Sequence, residues 1–151
     1  MKNETAMWLV VLLMVAGLAP ALVDAKGAAA SLLIPKADIK YSDVPDAKGV
    51  HLAAVDGDPA KGPSHFMLKF DAGFAAPLHH HSPDHSGTVV AGTLVLTVDG
   101  KETKLPAGSF FSFSGKQPHA TRCEAGAECV LSMDVRGKWD VVPEKTVTAA
   151  K

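Results

Sequence analysis

The segment from Pro77 to Gly92 reads PLHHHSPDHSGTVVAG, and its histidines are spaced for metal ligation. His79 and His81 stand two apart, so on an extended strand both point to one side and their imidazoles converge on one ion. His80, between them, points the other way and is excluded as a co-ligand. Ser82-Pro83-Asp84 breaks the strand, and a chain that bends there returns His85 to the same point. His119, far away in sequence and just after a Pro-containing turn, is the natural fourth ligand from a neighbouring strand. Four neutral imidazoles suit one divalent transition metal, with iron or manganese favoured over copper, zinc or nickel, and all of these over magnesium or calcium. With a vacant position, such a centre activates O₂; as a Lewis acid it drives isomerisation or cyclisation. No carboxylate is placed as a base, so no catalytic residue is assigned beyond the ligands.

Three other readings of these residues compete. A His-x-His-x-Asp-His run marks metallo-β-lactamase-like hydrolases, but here Asp84 falls one residue late and the chain is too short for that two-layer α/β fold. A structural zinc site lacks the expected thiolates. A solvated histidine cluster explains residues 79–81 but not His85 and His119 at their spacing.

The elements that must position these side chains are short strands. Past residue 40 no segment sustains a helical period, whereas period-2 alternation is common. It puts Phe66, Leu68 and Phe70 on one face, Leu94, Leu96 and Val98 on another, and Leu131, Met133 and Val135 on a third. Turn signals separate these runs: DGDPAKGP at 56–63, DAG at 71–73, DGK at 99–101, PAG at 106–108 and SGKQP at 114–118. The pattern predicts an all-β sandwich or barrel. A single domain over residues 38–143 is expected, between tails at 26–37 and 144–151.

The histidines and glycines together resemble the cupins. Gly73, five residues, His79-x-His81, three residues, His85, six residues and Gly92 match the first cupin motif. Gly100, five residues, Pro106-x-Gly108 and then His119 match the second. Residues 49–73 resemble the leading hairpin of small exported ChrR-like cupins. The resemblance implies a double-stranded β-helix, a small jelly-roll barrel with a divalent metal inside. The family usually has Glu where this chain has His85. That replacement weakens any transfer of function from Glu-dependent cupin decarboxylases.

Around such a metal, Phe66, Phe111, Phe113 and Met133 are the candidate pocket residues, and Trp139 is core. The family register sends Phe111 and Phe113 inward and Phe110 outward. An aromatic and aliphatic wall suits a small, mostly apolar organic ligand. Tyr41 and His65 are candidate polar groups behind the ligands, and Asp84 organises the 82–85 turn. Two classes of function follow: a metal-dependent, dioxygenase-like oxidoreductase, or a non-catalytic periplasmic module that binds or senses a metal or small ligand.

The N-terminus predicts export. Lys2 precedes the apolar run MWLVVLLMVAGL at 7–18, and Val23 and Ala25 stand at the small-residue positions of a signal-peptidase site. Cleavage after Ala25, with a second option after Ala21, delivers a periplasmic or secreted protein starting at Lys26. An uncleaved anchor helix is the competing reading, and the run is at the short limit for one. Across all 151 residues the net charge is −1, so nucleic acid is not an expected partner. After cleavage, acidic and basic residues balance, and no stable membrane association is expected. The expected partner is a small molecule, with a homodimer left open. In an oxidising compartment Cys123 and Cys129 are expected to pair across the mouth of a hairpin, a bridge contributing about 2–3 kcal/mol. Two free thiols remain the alternative, because hairpin pairing is geometrically demanding.

Overall fold

The computed structural model describes residues 31–145; the expected signal segment and both candidate cleavage sites lie outside them. The compact body begins at Leu33. Among the described residues, a 3-10 turn at Lys36–Asp38 is followed by eleven strands: β1 Ser42–Asp43, β2 Val50–Gly57, β3 Ser64–Phe70, β4 Ala75–His80, β5 His85–Ala91, β6 Thr93–Val98, β7 Lys101–Pro106, β8 Phe110–Phe113, β9 His119–Cys123, β10 Cys129–Val135 and β11 Val142–Pro143. They form two antiparallel sheets, in the orders β1-β2-β3-β10-β5-β8 and β11-β4-β9-β6-β7. This is the jelly-roll arrangement. Among the described residues no helix is long and apolar enough to cross a membrane.

Alternation builds the interior. On β3 every second residue is buried, so Ser64, Phe66, Leu68 and Phe70 face inward while His65, Met67 and Lys69 do not. β10 repeats this with Cys129, Leu131, Met133 and Val135. β9 turns His119, Thr121 and Cys123 inward, and β5 turns His85, Gly87 and Val89. The apolar members of these rows form one core cluster with Leu94, Leu96 and Phe113. Each row starts with a histidine on β5 and β9, so period-2 geometry carries both imidazoles into the same interior.

Two glycines are required where they stand. Gly100 follows Asp99 in the two-residue turn from β6 to β7, and both have positive φ, 77° and 50°. That is the backbone an antiparallel hairpin of this length needs. Gly87 faces inward, and a Cβ there would come within 2.6 Å of Phe111 Cζ and 2.8 Å of Met133 Sδ.

Cys123 and Cys129 are disulfide-bonded, with Cα atoms 5.8 Å apart. The expected hairpin is absent, however. β9 lies between β4 and β6 in one sheet, and β10 between β3 and β5 in the other. With both neighbours of each strand already taken, residues 124–128 cross from sheet to sheet. The bridge therefore ties the two layers together, and both sulfurs are fully buried.

Candidate metal centre

Four buried imidazoles gather where both sheets meet at one end. His79 lies near the end of β4, His81 just beyond it, His85 opens β5 and His119 opens β9. Their relative exposures are 3–6%. His79 and His119 are direct cross-strand partners, brought opposite each other after a register shift between Ala76 and His79. Such an irregularity re-aims side chains along a strand. His85 comes from the other sheet, opposite Phe113 and Val135.

Ligand nitrogens of His79, His81 and His119 all lie within 4.8 Å of one another. These three buried histidines could hold a metal ion. His85 lies beside this group, its ring centroid 4.8 Å from that of His81 and 5.9 Å from that of His119. His80 points away and pairs with Glu144 at 2.6 Å.

The protonation of the four rings is set by their neighbours. Nδ1 of His79 donates to the Pro77 carbonyl at 2.7 Å, that of His85 to Pro83 at 3.1 Å, and that of His119 to Gln117 at 3.0 Å. Nδ1 of His81 donates to the Asp140 carbonyl. A carbonyl can only accept, so each Nδ1 carries the hydrogen and each Nε2 is left as the free base. Three of the acceptors lie two residues upstream of their histidine, and two of those are prolines, whose fixed φ stiffens the approach. Burial holds all four imidazoles below the usual histidine range, with the carbonyl acceptors opposing it. His81 is lowered to about 3 and His119 to about 4, the neighbouring imidazoles adding to the burial effect. Neutral, oriented Nε2 donors are what a transition-metal ion needs from a protein.

Aromatic rings brace the histidines. Phe113 stacks on His119 at 4.3 Å and on His85 at 5.4 Å. Trp139 stacks on His81 at 3.8 Å, with 19° between the planes. The segment carrying Trp139 is stitched across the site. Asp140 accepts from the Ser82 amide at 2.7 Å and the Ser82 hydroxyl at 2.5 Å, and β11 pairs with His79 and His80. Burial pushes the Asp140 carboxyl up, but the Ser82 hydrogen bonds outweigh it and the group lies below the usual carboxylate range.

A cavity of about 370 Å³ opens onto all four histidines. Phe111, Phe113 and Met133 line it as expected from the sequence, and Phe110 is exposed. Phe66 does not line it: fully buried, it meets Trp139 edge-on at 5.4 Å, and Trp139, expected only as core, takes the position on the cavity wall. Tyr41 and His65 are also away from the centre. Tyr41 lies under Lys69 Nζ at 5.4 Å, and His65, on the outward side of β3, meets Ser132 Oγ at 3.0 Å. Asp84 accepts from the Gly115 amide at 2.7 Å, pinning the 82–85 corner to the turn after β8. Trp139 and Asp140 were missed by sequence reasoning. They follow the last long strand, where no spacing signal leads to them.

Two histidine-bearing strands facing each other inside a jelly roll invite comparison with known proteins. Residues 66–135 match the Cupin domain family. The body of this chain is a cupin domain. Among solved structures, the cupin resembles the polyketide cyclase RemF from Streptomyces resistomycificus, with 18% identity, TM-score 0.63, and coverage of 77% of this chain and 87% of that one. An RmlC-like cupin from Shewanella frigidimarina NCIMB 400 shares 19% identity, TM-score 0.57, over 71% of this chain and 92% of that one. The Rhodobacter sphaeroides complex of SigE with the anti-sigma ChrR gives 19% identity, TM-score 0.54, over 67% of this chain and 51% of that one. At these identities the likeness is one of fold. No curated protein matches the sequence. Trp139 and Asp140 lie beyond the matched residues.

Proposed function

We propose that this cupin is a metal-dependent, dioxygenase-like oxidoreductase acting on a small organic substrate. The observation that carries the reading is the common orientation of four buried imidazoles, each with Nδ1 spent on a carbonyl and Nε2 free. His79, His81 and His119 would hold one divalent transition metal, iron or manganese in first preference, and His85 is the proposed fourth ligand. A bound ion of this kind supplies O₂ activation, or Lewis-acid polarisation of a carbonyl. The chain's own residues do the rest. The carbonyls of Pro77, Pro83, Gln117 and Asp140 hold the rings in one tautomer, the Phe113 and Trp139 rings fix their planes, and the apolar walls keep water from the reacting atoms. Export to the periplasm or beyond, with cleavage after Ala25, belongs to the same reading. It is supported by the leader-like N-terminus and by a disulfide that an oxidising compartment would preserve.

The alternative is a non-catalytic module that binds or senses a metal or small ligand. His85 favours it at a four-coordinate ion such as zinc, whose shell four imidazoles would fill, whereas six-coordinate iron or manganese would keep positions open for O₂. Metal analysis of the purified native protein, followed by O₂ uptake with catechols, diketones and flavonoids, tests the proposal. One ion per chain, lost in the His81→Ala, His119→Ala double variant, with substrate-dependent O₂ uptake is the expected result. Full occupancy in the double variant would overturn the site, and a loaded protein inert towards the whole panel would favour the binding module. Intact mass of the exported product is expected to begin at Lys26.

A further inference from the structure

The walls of the cavity restrict what can enter it. It extends from the four histidines to Val44 and Ala47, in the turn between β1 and β2. Apart from the imidazoles, the polar side chains on its walls are Thr121 and Asp140. Each Asp140 carboxylate oxygen already accepts one hydrogen bond from Ser82, which ties the group to the 82–85 corner. Every other lining residue is Ala, Val, Leu, Met, Phe or Trp, contributed by both sheets. Among the described residues, no lysine, arginine or amide side chain lines the cavity to pair with a charge or a run of hydroxyls. At about 370 Å³ the space is at the small end of ligand pockets.

We infer that the ligand of this site is a compact compound with an uncharged aromatic or aliphatic body, polar only along the edge that meets the imidazoles: a phenol, a catechol or an enolisable diketone. The inference deepens the metal-centre reading and rests on it for the chelating edge, but not for the body. Each ligand hydroxyl buried against these walls loses its water and finds no partner, which weakens binding by roughly tenfold or more. A sugar or sugar acid carries several such groups, more than the Thr121 hydroxyl, the Trp139 indole N–H and the one carboxylate of Asp140 can serve. An aromatic ring instead meets Phe111, Phe74 and Leu52 and gains by leaving water.

Calorimetric titration of the full chain with benzoylacetone and with galacturonate tests this, before and after removal of metal by a chelator. In metal-free protein benzoylacetone is expected to bind at least about a hundredfold more tightly than galacturonate, two orphaned hydroxyls being enough for that ratio. Leu52→Gln and Phe74→Gln, at half-buried wall positions, are each expected to weaken benzoylacetone about tenfold and to leave galacturonate no weaker. Equal or tighter binding of galacturonate, or no binding of benzoylacetone, overturns the inference. Restoring metal is expected to tighten benzoylacetone further. If it does not, the metal-centre reading fails while the wall inference stands, so the two failures are distinguishable.

Discussion

Four neutral imidazoles buried together make the metal-free protein sensitive to acid, and the size of the effect follows from two of them. In the unfolded chain each histidine titrates near its ordinary value of about 6.5. In the folded protein burial lowers His81 to about 3 and His119 to about 4. The folded values lie below the unfolded ones, so in mild acid the unfolded state binds more protons and stability falls as pH drops through about 6.5. At pH 8 neither state is protonated at these groups and the penalty is negligible. At pH 5 each ring that stays neutral in the fold costs about 2 kcal/mol, so the pair costs about 4 kcal/mol. His79 and His85, shifted the same way, add to this. His51 opposes it: held between Asp43 at 2.8 Å and Asp71 at 3.1 Å, it lies above the ordinary range and adds stability as pH falls. Urea unfolding of chelator-treated protein from pH 8 to pH 5 measures the sum. His119→Gln, whose amide still donates to the Gln117 carbonyl, isolates one ring, and the loss at pH 5 should shrink by about 2 kcal/mol. A stability that stays flat or rises on acidification, or an identical pH slope in His119→Gln, would refute the reasoning.

Other perturbations separate the roles of neighbouring residues. If His85 ligates, His85→Glu should keep metal and shift preference towards manganese or iron over copper and zinc, while His85→Ala weakens binding; equal affinities in competition titrations of wild type and both variants would leave a three-histidine centre. Trp139→Leu removes the ring stacked on His81 and should lower metal affinity about 10- to 100-fold in equilibrium dialysis, with far-UV circular dichroism unchanged; unaltered affinity would reduce Trp139 to packing. Gly87→Ala forces a methyl into Phe111 and Met133 and should cost about 1–3 kcal/mol in denaturant unfolding; a neutral result would mean that the β5–β8 pair gives way easily.

The local periods of this chain reach its sheets directly. Phe66-Leu68-Phe70 and Leu131-Met133-Val135 face inward as alternation requires, because a strand has only two sides and water selects between them. The same rule puts His79 and His81 inward and His80 outward, so most of the imidazole cluster was legible from spacing alone. Strand partnership is not a local property. Cys123 and Cys129 are close in sequence and bonded, yet they belong to different sheets, because β9 and β10 find their hydrogen-bonding partners among strands distant in the chain. Side-chain neighbours across the cavity depend on the same long-range choices. Trp139 takes the wall position expected for Phe66, and Tyr41 and His65 fall away from the centre, because neither alternation nor motif spacing encodes where the segment after β10 lies down. Residue types and their two-residue period determined which imidazoles point inward; only the packing of one sheet on the other decided which rings brace them, which carbonyls orient them and what walls enclose the space they share.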